Sequence, residues 1–232
     1  MKKILFFSLL ILLGFGCRFK SGSGNVVSEN RTESNFTGIS TSQGFEVEVV
    51  TGEDYSVKID ADDNLMKYVV TEIRGTVLKV GLENNVNVRN AHLKARITAP
   101  SIETVWASSG ASVTVKGYMK GAEKVTLDAS SGGTIRAAVD APVVSVEASS
   151  GSQVILSGRT QVLKYSASSS GSIDAFELLS ENAKVSASSG ASVKVHASIK
   201  LDASASSGGN IKYRGGASVT SNSSSGGSVE KE

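Results

Sequence analysis

One cysteine, two histidines and one tryptophan in 232 residues are scarcities that each remove a class of chemistry. A single cysteine, Cys17, cannot form an internal disulfide. His92 and His196 are far apart, with no His-Glu or Cys-His pattern beside either, so no metal signature of useful spacing exists. The serines are numerous but repetitive, and repetition makes each a corner residue rather than a nucleophile; no Ser-His-Asp arrangement assembles. Glycine-rich pieces never take phosphate-loop form, since Gly22-Ser-Gly24 is not followed by a helix. Charge is nearly balanced at +2, and no basic stripe interleaved with aromatics marks a nucleic-acid partner. The expected cofactor and metal complement is none.

What the chain has instead is a repeat. Ala107-Ser-Ser-Gly-Ala-Ser-Val-Thr-Val115 returns as Ala129-Ser-Ser-Gly-Gly-Thr-Ile-Arg-Ala137 and Ala148-Ser-Ser-Gly-Ser-Gln-Val-Ile-Leu156, then at Ala167, Ala187 and Ala205, and in degraded form at Ser223. An aliphatic landmark falls at Val113, Ile135, Val154, Ile173, Val193, Ile211 and Val229, at spacings of 22, 19, 19, 20, 18 and 18. A period near 19 is a solenoid signature. Residues before each corner alternate apolar and polar, as in Val125-Thr-Leu-Asp-Ala129, which is a strand with one buried face. Ser-Ser-Gly turns the chain, glycine taking φ > 0 without steric cost. A second short strand follows, and about eight residues such as Gly158-Arg-Thr-Gln return to the start. The fold class is therefore all-β: a parallel β-helix of about seven coils, right-handed from the preference of parallel crossovers. Val113 and its equivalents form one interior column, and Val105, Leu127, Val146, Tyr165, Val185 and Ala203 a second.

Lys2-Lys3, the apolar run Ile4–Leu13 and the small residues before Cys17 read as a signal peptide over 1–16, too short to span a membrane alone. Gly16-Cys17 resembles a lipobox, although Gly14 stands where such boxes carry Leu; the alternative is a plain signal peptide with an incidental cysteine. Cys17 is thus the expected lipid attachment point for anchoring in an envelope membrane, the outer one in this reading. Cleavage leaves 22 basic and 22 acidic residues. Residues 17–33 read as a tether, 34–100 as a β-rich cap and 101–232 as the coils, with 34–232 one structural unit. Within the cap, Gly44–Val50 and Tyr55–Ile59 read as a hairpin joined by Thr51-Gly-Glu-Asp54, and Val69–Ile73 with Val77–Val80 as another. Asp60-Ala-Asp-Asp-Asn64 lacks the glycine and distal Glu of a calcium loop, and Asp62-Asp-Asn64 is read as the cap of a helical turn. The cap covers the first coil's open edge.

The order of lipoprotein-like signal, Phe36-Thr-Gly-Ile39, Gly44-Phe-Glu-Val-Glu-Val49, Asp62-Asp-Asn-Leu65, Thr71-Glu-Ile-Arg-Gly-Thr-Val-Leu-Lys-Val80 and Ser-Ser-Gly coils resembles the "head GIN domain, putative auto-transporter adhesin" family of Bacteroidota-type envelope proteins. The resemblance covers about residues 25–232. It implies a β-helical fold, a role in adhesion or envelope structure, and no established catalytic set.

Three surface residues stand out. Asp128 and Glu147 share an outward column on adjacent coils, ~5 Å apart, near the spacing of glycosidase carboxylates. The competing reading is a solvated face in which Lys164 compensates Glu147 diagonally. Trp106 sits at an outward position of the first coil and is expected to pack under the cap, the alternative being an exposed contact site. Elsewhere Lys184 with Asp202, Asp174 with Lys194, and Lys212 with Glu230 look like register devices. Three functions of different class follow: a non-enzymatic envelope module binding glycan or protein along its ladders, a polysaccharide lyase or hydrolase, or a structural protein that self-associates as a homo-oligomer through the C-terminal coil.

Overall fold

A computed structural model describes residues 19–121 and 123–232. The signal segment and Cys17 lie outside the described residues. The repeat forms a β-solenoid whose strands pair in parallel from coil to coil. Val113, Ile135, Val154, Ile173, Val193, Ile211 and Val229 are each in register with the next. Val105, Leu127, Val146, Tyr165, Val185 and Ala203 form the second column. Apart from half-buried Val229, all of these are buried. Each fully buried Val, Leu or Ile stabilises the coil by roughly 1.5–3 kcal/mol.

The corners repeat one geometry. Ser109 and Gly110 have φ of 51° and 74°, and the later coils match, down to Ser225 and Gly226 at 48° and 77°. Positive φ at both central residues is the signature of a type I′ turn. Each turn closes from the residue after the pair to the first serine: Ala111 N–H donates to Ser108 O at 3.0 Å and Gly227 N–H to Ser224 O at 2.9 Å. The turns are also joined between coils. Gly110 N–H donates to Ser131 O at 3.0 Å, Gly132 N–H to Ser150 O at 3.0 Å, and Ser170 N–H to Ser189 O at 3.1 Å. Sequence reading assigned the left-handed conformation to glycine alone; the preceding serine shares it.

The return segments are strand rather than loop. Thr134–Ala148, Gln153–Ala167, Ser172–Ala187 and Ser192–Ala205 run without a break from one corner to the next. Residues 138–141 and 143 pair with 157–160 and 162, so their backbone groups are used in the ladder. Gly158 bends inside a strand, where a Cβ would sit 2.1 Å from Val139 O.

Coils begin earlier than the Ser-Ser-Gly motif shows. Gly38–Thr41 and Glu46–Thr51 pair in parallel with Thr104–Ala107 and Ser112–Met119. Thr41-Ser-Gln-Gly-Phe45 makes the same corner, with Gln43 and Gly44 at φ 61° and 76° and Gly44 N–H donating to Ser109 O at 3.1 Å. On the far side of this coil, Val77–Leu82 and Leu93–Ala99 are again parallel, placing Leu78 beside Ile39 and Ala95 beside Val47. The end of the stack is then closed by antiparallel strands: Ser56–Asp62 on Leu93–Ala99, Val26–Arg31 outside it, and Val69–Arg74 on Val77–Leu82. Residues 34–100 therefore contain solenoid coil as well as cap.

Three expectations are corrected here. Glu46–Thr51 and Ser56–Asp62 do not form a hairpin, because Leu93–Ala99 lies between them and is needed to extend the interior column. Asp62 does not cap the helical turn Asp63–Met66 through its side chain. Its buried carboxylate accepts from Gly24 N–H and His92 N–H, both at 2.7 Å. The tether is part of the fold from Phe19 onward: Phe19–Ser21 pairs with Asn87–Arg89, and Asp63 accepts from Ser23 Oγ at 2.6 Å and Asn25 Nδ2 at 2.9 Å.

Two outcomes are expected. Ser170 occupies, at φ 61°, the corner position that is glycine in the other Ser-Ser-Gly-type coils. Ser170→Gly should raise stability by about 1 kcal/mol, seen as a higher denaturant midpoint at unchanged slope. Asp60 is buried, accepts from Ser28 Oγ at 2.5 Å and pairs with Arg96. Burial opposes its ionisation, but the Ser28 hydrogen bond and the Arg96 charge outweigh that and hold its pKa below the ordinary value. Its contribution is full above the ordinary carboxylate pKa and is lost as pH falls through the lowered one. Asp60→Asn should cost about 2 kcal/mol at pH 7 and distinctly less at pH 3 in parallel urea titrations.

Candidate functional site: an outward ladder on one face

Strands Thr104–Ala107 and Lys124–Ala129 and the last residues of the four long strands that follow make one face of the solenoid. Side chains alternate, so every second residue points outward. Trp106 is in register with Asp128, Asp128 with Glu147, and Glu147 with Ser166; Ser186 and Ser204 continue the column. The three residues singled out from sequence are thus consecutive rungs of one ladder. A second outward column, two residues earlier, reads Thr104, Thr126, Ser145, Lys164, Lys184 and Asp202.

Trp106 is not covered by the cap; it is 41% exposed. The reason is topological. The strand Gly38–Thr41 lies beside Thr104–Ala107 as the next rung, with Ser40 opposite Trp106, so it extends the face instead of lying over it.

The electrostatics of the ladder are unusual. Neither Asp128 nor Glu147 forms an ion pair or a side-chain hydrogen bond among the described residues, and the diagonal contact from Lys164 to Glu147 is not made. Partial burial and then the charge of Glu147 push the Asp128 pKa up. Of the register pairs read from sequence, Asp174–Lys194 is an ion pair at 2.9 Å. Lys184 with Asp202 and Lys212 with Glu230 are in register but not bonded; Asp202 turns to Lys200 at 3.2 Å, and Arg214 takes Glu232 at 3.2 Å.

Other faces offer less. A shallow groove of about 550 Å³ runs over the return segments past Asp140, Arg159, Leu179 and His196. Its charged pair is already satisfied, Arg159 donating to both Asp140 oxygens at 2.9 Å. Ser180 Oγ donates to the backbone carbonyl of His196 and not to its ring, so no nucleophile–base pair forms there. Among the described residues, no group of three or more His, Cys, Asp and Glu converges as a metal site would require.

An exposed aromatic, two stacked carboxylates and a column of serines thus lie together on one face of a β-solenoid. The chain belongs to the family described as "Putative auto-transporter adhesin, head GIN domain", which matches residues 35–217. Solved structures share the fold. A putative adhesin of Bacteroides fragilis is 17% identical with a TM-score of 0.83, covering 91% of this chain and 99% of its own. A putative adhesin of Parabacteroides merdae is 20% identical at 0.74, covering 92% and 99%. A protein of Parabacteroides distasonis called a putative lipid binding protein is 18% identical at 0.75, covering 93% and 100%. No curated protein matches the chain. Family membership suggests a non-enzymatic protein exposed at the cell surface or envelope.

Sequence reading missed the stacking of Lys164 on Lys184. Both stand three residues before a corner alanine, Ala167 and Ala187, so the repeat alignment carries that signal. It also missed Phe176, an irregular insertion in its coil, whose ring lies 4.1 Å from the Arg214 guanidinium carbon.

Replacing Asp128 tests the strain in the ladder. A raised carboxylate pKa means a penalty that is full above the raised value and absent below the ordinary one. Asp128→Asn should therefore stabilise at pH 7 by about 0.5 kcal/mol and be neutral near pH 3, read from thermal melts at both values.

Proposed function

We propose that this protein is a non-enzymatic adhesion module of the cell envelope that binds glycan through the Trp106–Asp128–Glu147 face. The observation that carries the reading is the continuity of an exposed tryptophan with two acceptor carboxylates and a serine column on a rigid surface. An indole face stacks on the apolar face of a sugar ring, and the polar rungs accept from and donate to its hydroxyls. The regular rise of ~4.8 Å per coil suits an extended chain lying along the solenoid axis. Rigidity keeps the ordering cost of binding small. A lyase or hydrolase reading draws on the same two carboxylates, but no Arg, Tyr or His shares their columns to hold or polarise a substrate.

In this reading the signal peptide is removed after residue 16 and Cys17 carries the lipid that holds the module on the outer membrane. Several acyl chains on one residue give stable anchoring.

Two experiments test it. A glycan array with residues 18–232 should give reproducible binding to one glycan class, and Trp106→Ala should weaken that binding at least tenfold without lowering the melting temperature. A blank array, or full binding by Trp106→Ala, contradicts the assignment. Cys17→Ser in the full chain should move the protein from the membrane fraction to the soluble fraction; unchanged fractionation contradicts the anchor.

A further inference from the structure

On the other faces most charges that meet across strands are neutralised within the molecule, Lys212 and Glu230 being in register but unbonded. Asp140 holds Arg159 at 2.9 Å, Asp174 holds Lys194 at 2.9 Å and Glu46 holds Lys94 at 2.9 Å. Two cation–cation neighbours occur elsewhere, Lys58 beside Arg96 and Lys194 beside Lys212. In each, one member carries an ion pair: Arg96 with Asp60, and Lys194 with Asp174.

The Trp106 face departs from this pattern twice. Asp128 stacks on Glu147, and Lys164 stacks on Lys184. None of the four forms an ion pair among the described residues. Glu147 and Lys164 are diagonal neighbours within reach of each other, yet they stay apart, and Asp202 beyond Lys184 is taken by Lys200 at 3.2 Å. Like charges directly opposite on adjacent strands are destabilising. Here one acidic and one basic stack lie on the same flat surface, two coils apart, or about 10 Å along the axis. The sheet face is therefore built to meet charge from outside, and of both signs.

We propose that the ligand of this face is a zwitterionic glycan, with an ammonium group seated over Asp128 and Glu147 and a carboxylate over Lys164 and Lys184. This rests on the glycan reading above and names the ligand class within it. Trp106, the next rung from Asp128, adds the attraction of an indole face for an ammonium. Ser166 and Ser186 continue the acidic column beside Lys164 and Lys184 and offer hydroxyls to the chain that joins the two groups. A neutral glycan leaves both stacks uncompensated, and a chain of one sign leaves one stack uncompensated while repelled by it.

The test uses residues 18–232, which contain every described strand, and four soluble probes of similar length: carboxymethyl chitosan, chitosan, oligogalacturonate and N-acetylated chitin oligosaccharide. Carboxymethyl chitosan should bind at least tenfold more tightly than each of the others in calorimetry at physiological salt. Asp128→Asn with Glu147→Gln should reduce its affinity to that of oligogalacturonate, and Lys164→Gln with Lys184→Gln should reduce it to that of chitosan, both variants melting no lower than the parent. Equal binding of the neutral oligosaccharide, lost with Trp106→Ala, overturns the zwitterion and keeps the glycan reading. Binding of chitosan or oligogalacturonate as tight as that of the zwitterion also overturns it. Failure of all four probes overturns this inference alone if the array is positive, and the glycan reading with it if the array is blank.

Discussion

The solenoid depends on a corner that demands positive φ at two consecutive residues. At Ser109-Gly110 and its equivalents, the N–H of the second residue reaches the carbonyl of the neighbouring corner and the N–H that follows closes the turn. The conformation costs roughly 1–2 kcal/mol wherever a serine adopts it. Repetition converts that local cost into register, because each corner is hydrogen-bonded to the one beside it. A slip of one residue would break this column and turn every buried Val and Ile outward. The coil-to-coil alignment of the outer face, and hence the ladder of Trp106, Asp128 and Glu147, is set by the corners.

Much of this was legible because the repeat states it directly. The aliphatic landmarks fall in the columns that periodicity assigned, and the two carboxylates share a column as counted from the corner. What sequence hid was coil without its signature. Thr41-Ser-Gln-Gly-Phe45 keeps only the glycine and one serine, yet the second positive φ is met by Gln43. Its neighbour at Val80 to Lys94 replaces the corner with an excursion containing the strand Asn87–Arg89. Local alternation could not reveal that Leu93–Ala99 inserts between two strands that looked like a hairpin, since strand order is a long-range property. For the same reason Trp106 was assigned to a covered position: its outward direction is local, but the absence of a lid depends on where residues 38–41 run.

The outer face follows a different logic from the core. Buried columns are filled by whichever apolar side chain fits, Tyr165 included, whereas outward columns elsewhere place opposite charges on adjacent coils at Asp140–Arg159 and Asp174–Lys194. Such exposed pairs contribute little stability and mainly disfavour wrong registers. On the Trp106 face Asp128 instead stacks on Glu147 and Lys164 on Lys184. Natural proteins retain destabilising surface arrangements where function needs them. Membership of a family described as a putative adhesin agrees with the reading proposed for this surface.

Because Trp106 is the only tryptophan, its fluorescence reports on the face directly. Acrylamide quenching of residues 18–232, with and without a bound glycan, is the measurement closest to the central claim. The account predicts red-shifted emission that acrylamide quenches readily in the free protein, and a blue shift with loss of quenching when the face is occupied. Blue, quencher-resistant emission from the free protein would mean that the indole is already covered and that the ladder is not a binding surface.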